Sequence, residues 1–224
     1  MKLVWSPETA SKAYIDTVQS CKLFRESGVA ELVSAMAAGW NAQLIVETWS
    51  QGGVIPTSVG LAIARRHTGG RHVCIVPDER SRLEYGERMS EAGMSPEIVV
   101  GEAEEVMDGL EGIDFMVVDS RRKEFYRVMR VAKLSSKGAV LLCKNANSRN
   151  APLGFKWRSL VDEEGSRRIV RSVFLPVGKG VDIAHVSAVG GNSVSTTLKG
   201  GHGRGKRWIN YVDQQSGEVH VIRR

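Results

Sequence analysis

AQLIVETWSQGGVIPTSVGLAIARRHTGGRHVCIVPD, residues 42–78, carries the pattern that the rest of the chain repeats. It reads as strand, glycine turn, helix, strand. Residues 43–46 form a short apolar run that ends on a carboxylate, Glu47, and a Gly52-Gly53 pair follows within one turn's length. Thr57 or Ser58 can cap a helix whose apolar positions Val59, Leu61, Ala62 and Ile63 precede Gly69-Gly70, a helix stop. A second apolar run, residues 72–76, ends on Pro77, Asp78 and Glu79. Apolar strands of this kind need both faces covered, so the stretch is a βαβ unit of a parallel sheet. The ligand crevice of such a sheet lies beyond the carboxyl ends of its strands, where Glu47 and Asp78 fall.

The rest of the chain extends the same alternation. Ser6-Pro7-Glu8 starts a helix, with Ser as cap and Pro at the first helical position, and Tyr14, Val18 and Cys21 share one of its faces. Val29, Leu32, Val33, Met36, Ala37 and Trp40 repeat at helical spacing and predict a second helix. After residue 78, helices are expected over 81–92, 103–110 and 125–134, and strands over 97–100, 113–118 and 138–143. Residues 144–165 are polar and turn-rich, a loop over the ligand edge with a helical turn at 157–161. Residues 169–176 and 181–189 are separated only by Val177-Gly178-Lys179-Gly180, too short for a helix, and predict an antiparallel hairpin. The expected fold is α/β, a doubly wound sheet of seven strands closed by that hairpin.

Composition bounds the remainder. A chain of 224 residues with 42% hydrophobic and 25% charged content suits one α/β domain, placed at residues 1–189. No apolar run approaches the roughly 20 residues that span a bilayer, and the N-terminus lacks a signal-peptide pattern, so an intracellular protein is expected, in cytoplasm or nucleus and with no membrane partner. Cys21, Cys74 and Cys143 are odd in number and widely spaced, which argues against a disulfide framework or a zinc site. Residues 190–224 carry +4 of the chain's net +6. Residues 190–207 read as a basic, Gly-rich linker and 208–222 as a small terminal hairpin. With Trp208 and Tyr211, that tail offers charge and stacking surface to RNA or another polyanion, beside the plainer reading of a solvated linker.

The order of parts resembles the class I S-adenosylmethionine-dependent methyltransferases. LIVE followed by GG resembles the carboxylate and glycine loop of that group, and VVGEAEEVMDGL its adenine-side strand. IDFMVVDSRRKEFY, GAVLLCKN and VFLPVGKGVDIAHV resemble the aspartate strand, fifth strand and closing hairpin of the catechol and caffeoyl-CoA O-methyltransferases. As a whole chain, from WSPETA to RWINYVDQQSGEVHVIRR, it resembles a plant family of uncharacterised methyltransferase-like proteins, a domain of unknown function.

The resemblance implies S-adenosylmethionine as cofactor, held by Glu47, Gly53, Ser58, Asp78 and Ala103. The match departs at Trp49, which stands where the family has its first loop glycine, and at the ribose carboxylate, which falls on Val76 and leaves Asp78 or Glu79 to serve. The alternative is that Glu47 and Asp78 are solvated strand-end carboxylates and Gly52-Gly53 a tight turn. At the catalytic end the metal-dependent relatives hold a divalent ion with an Asp after the fourth strand and an Asp-Asn pair after the fifth. Here those positions are Asp119, Lys144 and Asn145. An ammonium has no lone pair to give and repels Mg²⁺, so no divalent metal is expected. The family's general-base lysine falls on Arg122, which cannot take a proton. The expected activity is metal-independent methyl transfer to a small acceptor at Asp119, Lys144 and Asn145. The alternative is a catalytically degenerate protein acting through its tail.

Overall fold

The computed structural model describes residues 5–22, 24, 28–148, 157, 168–188, 208–212 and 219–223. Helices α1 (Pro7–Ser20) and α2 (Val29–Gly39) lead into β1 (Leu44–Thr48), α3 (Pro56–Thr68), β2 (Arg71–Val76), α4 (Glu79–Glu91), β3 (Glu97–Val100) and α5 (Ala103–Asp108). There follow β4 (Glu111–Ile113), β5 (Phe115–Asp119), α6 (Phe125–Val131), β6 (Lys133–Leu134), β7 (Ala139–Lys144), β8 (Ile169–Leu175) and β9 (Val181–Val186). Seven strands form one sheet in the order β3-β2-β1-β5-β7-β9-β8. All neighbours are parallel up to β7, and β9 runs antiparallel to both β7 and β8. This is the doubly wound sheet with a closing hairpin that the alternation predicts.

Two apolar layers sandwich the sheet. Ile45, Cys74, Val117, Leu142 and Ile183 face α1 to α4, whereas Val46, Ile75, Met116, Val118 and Cys143 face α5 and α6. The connections after β1 and β5 therefore leave on opposite sides. Adjacent strands that part in this way open a crevice at their carboxyl ends.

Several local expectations are corrected. Helix α3 starts at Pro56 with Ile55 as its cap residue, so neither Thr57 nor Ser58 caps it; both are buried inside its first turn. Of the face expected from Tyr14, Val18 and Cys21, only Cys21 is buried, and Ala10, Ala13 and Thr17 of α1 are buried beside it. Small side chains let α1 lie close to its neighbours, and Thr17 bonds Ser34 of α2 at 2.8 Å. The fourth strand is interrupted at Asp114, whose carboxylate accepts the backbone N–H groups of Gln43 and Leu44. The preceding piece, β4, pairs with β6, where the helix over 125–134 was expected to continue.

Residues 192–224 form a unit of their own, within which β10 (Trp208–Val212) pairs antiparallel with β11 (Val219–Arg223). The expected basic linker and the helical turn after Trp157 lie outside the described residues. Cys21, Cys74 and Cys143 are all buried. Among the described residues no helix is long and apolar enough to cross a membrane.

Candidate active site

The crevice between β1 and β5 is a cleft of about 320 Å³. The β1 loop contributes Thr48, Trp49, Ser50 and Gly53, and the end of β2 contributes Ile75, Val76 and Pro77. Gly101, Glu102, Ala103 and Glu104 line it from the β3–α5 turn. Asp119, Arg122, Glu124, Phe125 and Val128 come from the β5–α6 segment, and Lys144 from the end of β7. The cleft thus brings together Gly53, Ala103, Asp119 and Lys144 of the expected residues. Glu47, Ser58, Asp78 and Asn145 are not part of its lining.

Glu47 is the largest departure from expectation. It lies inside β1, fully buried, and both carboxylate oxygens are occupied. Oε1 accepts from His72 Nε2 at 3.0 Å and Tyr85 OH at 2.7 Å, and Oε2 accepts from Ser58 Oγ at 2.9 Å. Burial pushes the carboxyl up, but the hydrogen bonds of His72 and Tyr85 and the nearby charge of Lys144 outweigh it and hold it below the usual range. The same burial, with the Glu47 charge close by, raises the Tyr85 hydroxyl and the Cys74 thiol well above their ordinary values. Glu47 and Ser58 therefore anchor the sheet to α3 and α4 beneath the cleft. Asp78 is also spent locally, since it caps α4 by accepting the Ser81 N–H at 2.7 Å.

His72 and Tyr85 are participants that the motif reading missed. A trace of them is legible: His72 interrupts an apolar strand two residues before Cys74, which lies opposite Glu47 in register. Tyr85 comes from α4, and only the packing of that helix brings it under β1. Trp49 is the other unassigned feature. It is 3% exposed, tilts against Tyr85 with ring centroids 5.2 Å apart, and donates its indole N–H to the Val54 carbonyl. A Cβ on Gly53 would lie 2.6 Å from the indole nitrogen, so this glycine makes room for Trp49. The tryptophan fills the floor of the β1 loop.

At the opposite end, Asp119 is paired with an arginine rather than with Lys144. Arg121, two residues further along the turn, reaches back and binds Asp119 through Nε at 3.1 Å and Nη2 at 2.6 Å. Burial works to raise the Asp119 carboxyl, but Arg121, aided by Asn145 and by the charge of Lys144, holds it below its ordinary value. Lys144 stands opposite Asp119 in the β5–β7 register and is 5% exposed. Among the described residues it makes no ion pair within 4.0 Å. A divalent cation does not fit this donor set, because one ligand position is an ammonium and the Asp119 oxygens are committed to a guanidinium. No group of three His, Cys, Asp or Glu side chains suited to a metal occurs among the described residues.

The fold is similar to that of solved methyltransferases. An O-methyltransferase from Bacillus cereus, crystallised with SAH, superposes with a TM-score of 0.55 at 17% identity, over 83% of this chain and 93% of the other. The O-methyltransferase TomG from Streptomyces achromogenes, involved in tomaymycin synthesis and crystallised with SAM, gives 0.54 at 23% identity over 83% and 92%. The SAH-bound methyltransferase PaMTH1 from Podospora anserina gives 0.53 at 15% identity over 80% and 88%. No curated protein matches the sequence. The chain belongs to the family described as protein of unknown function (DUF1442), whose model matches residues 1–224.

Proposed function

We propose that the protein binds S-adenosylmethionine in the β1–β5 cleft and transfers its methyl group to a small acceptor without a divalent metal. The observation that carries this reading is the position of the cleft: it opens at the switch point of the sheet, with Lys144 at the place of a metal ligand. Bound there, the cofactor supplies a methyl group already activated on a sulfonium. The protein's residues supply the setting. Ile75, Val76 and Ala103 form an apolar wall suited to a purine, and Glu102 and Glu104 bring carboxylates to the same side. Gly101 adopts a left-handed φ of 154°, and its N–H bonds the Val76 carbonyl at 2.9 Å, which fixes that wall. The β1 loop contributes less, because Trp49 occupies its floor. Positioning alone can carry much of such a transfer when the acceptor is already nucleophilic.

The test is ligand-induced thermal stabilisation. SAH at millimolar concentration should raise the midpoint by several degrees, and Ala103→Trp, which fills the apolar wall, should abolish the shift while leaving the unliganded midpoint within a few degrees. Equal shifts in both proteins would place the ligand elsewhere.

A second reading, action on nucleic acid or another polyanion through the tail, is favoured by one observation. Most of the net charge, +4 of +6, lies from Gly190 onward.

A further inference from the structure

Two cations face the same end of the cleft, and among the described residues neither has an ion-pair partner. Lys144 projects from the last position of β7 and is 5% exposed, with its charge near Asp119 and Glu47 but in contact with neither. Arg122 lines the cleft from the β5–α6 turn, three residues beyond Asp119. The carboxylate that would neutralise them is withdrawn, since Asp119 is held by Arg121 at 2.6 Å. Glu124 lines the cleft nearby, and Glu102 and Glu104 reach it from the β3–α5 turn. No described carboxylate lies within ion-pair distance of the buried Lys144 ammonium, and an anion bound against it would offset part of its desolvation.

Among the described residues the lining contains no histidine, tyrosine or cysteine. Among the described lining residues Arg122 has no lone pair to take a proton and the Asp119 oxygens are engaged by Arg121, which leaves Glu102, Glu104 and Glu124 as the remaining carboxylates that could pull a proton from a neutral hydroxyl. An acceptor whose reacting atom is already an anion needs no such group. Carboxylates, with an ordinary pKa of about 4, meet that requirement, whereas phenols and alcohols do not.

We infer that the Lys144–Arg122 end of the cleft binds a small carboxylate, and that this carboxylate is the methyl acceptor. The inference rests on the cofactor reading above. One carboxylate oxygen is held by the Lys144 ammonium, and the other is left to react. The reaction balances without a proton: a lone pair of that oxygen forms the new O–CH₃ bond, and the electrons of the broken C–S bond stay on sulfur. The products are a methyl ester and a neutral thioether.

The experiment is a ligand-observed NMR titration of the full chain with benzoate, cinnamate and hexanoate, each against its primary amide, alongside a separate SAH titration. At least one carboxylate should bind with an affinity tenfold or more above its amide. Lys144→Met should weaken it at least tenfold, and Arg122→Ala, an exposed substitution, several-fold. With labelled methyl donor, the bound carboxylate should yield its base-labile methyl ester. Amides binding as well as acids, or Lys144→Met and Arg122→Ala both leaving carboxylate affinity unchanged, would overturn the proposal. Binding of SAH without any preference for carboxylate would sink this inference alone, whereas binding of carboxylate without SAH would sink the cofactor reading.

Discussion

Glu47 shows how one residue's role depends on neighbours remote in sequence. As a strand-end carboxylate it would be free to bind a ligand; with His72, Tyr85 and Ser58 around it, it becomes a buried anchor. His72 Nε2 donates to it, and His72 Nδ1 then has no partner among the described residues, which confines the ring to this one task. Replacing Glu47 by Gln removes the charge that three donors converge on, so a loss of about 1–3 kcal/mol is expected at pH 7. The pH dependence has a definite sign. A carboxyl held below its unfolded value contributes stability above about pH 4.3, and that contribution is lost as pH falls through the folded value. Urea unfolding should therefore show wild-type stability declining below about pH 4, with a shallower decline in Glu47→Gln. A variant as stable as wild type at pH 7 would refute the anchoring role.

At the scale of elements, the close approach of α2 to α3 sets how the helical layer meets the sheet. A Cβ on Gly60 would lie 2.5 Å from the Ala30 carbonyl oxygen, backbone that cannot swing away. Alanine is the better helix former by about 1 kcal/mol, but the forced separation of two packed helices costs about 1–3 kcal/mol. Gly60→Ala should thus lower the urea midpoint; a raised midpoint would show that the helices part freely. Element type and order were legible in the sequence, because alternating apolar runs and glycine stops leave few ways to cover both faces of a sheet. Helix faces were less so. On α1 the pattern grouped Tyr14, Val18 and Cys21, yet of these only Cys21 is buried and the alanine side packs, since close approach outweighs side-chain size. Ser58 reads as a cap from its type alone, but Pro56 starts the helix and Glu47 claims the hydroxyl. Asp119 and Lys144, expected at the site from the resemblance, both line the cleft. That Arg121 takes the Asp119 carboxylate follows from a turn geometry that residue types do not specify.

For the whole molecule, the doubly wound sheet is complete before the terminal unit that begins at Asn192. A chain ending at Gly191 should unfold cooperatively with a midpoint within a few degrees of the full chain. Loss of cooperative unfolding on truncation would show that the core depends on the tail. The proposed tail function makes a separate demand. Any affinity of the full chain for single-stranded RNA should fall on the order of tenfold to a hundredfold between 50 and 200 mM salt, and should vanish on truncation. Truncated protein binding RNA as well as the full chain would end that reading.

Calorimetric titration with SAH, in EDTA and then in millimolar Mg²⁺, decides whether the cleft takes the proposed cofactor without a divalent ion. Saturable heat with a one-to-one endpoint and the same affinity in both buffers is expected, because Lys144 stands at one ligand position and Asp119 is held by Arg121. No heat in either buffer, or binding that appears only with Mg²⁺, would contradict the proposal.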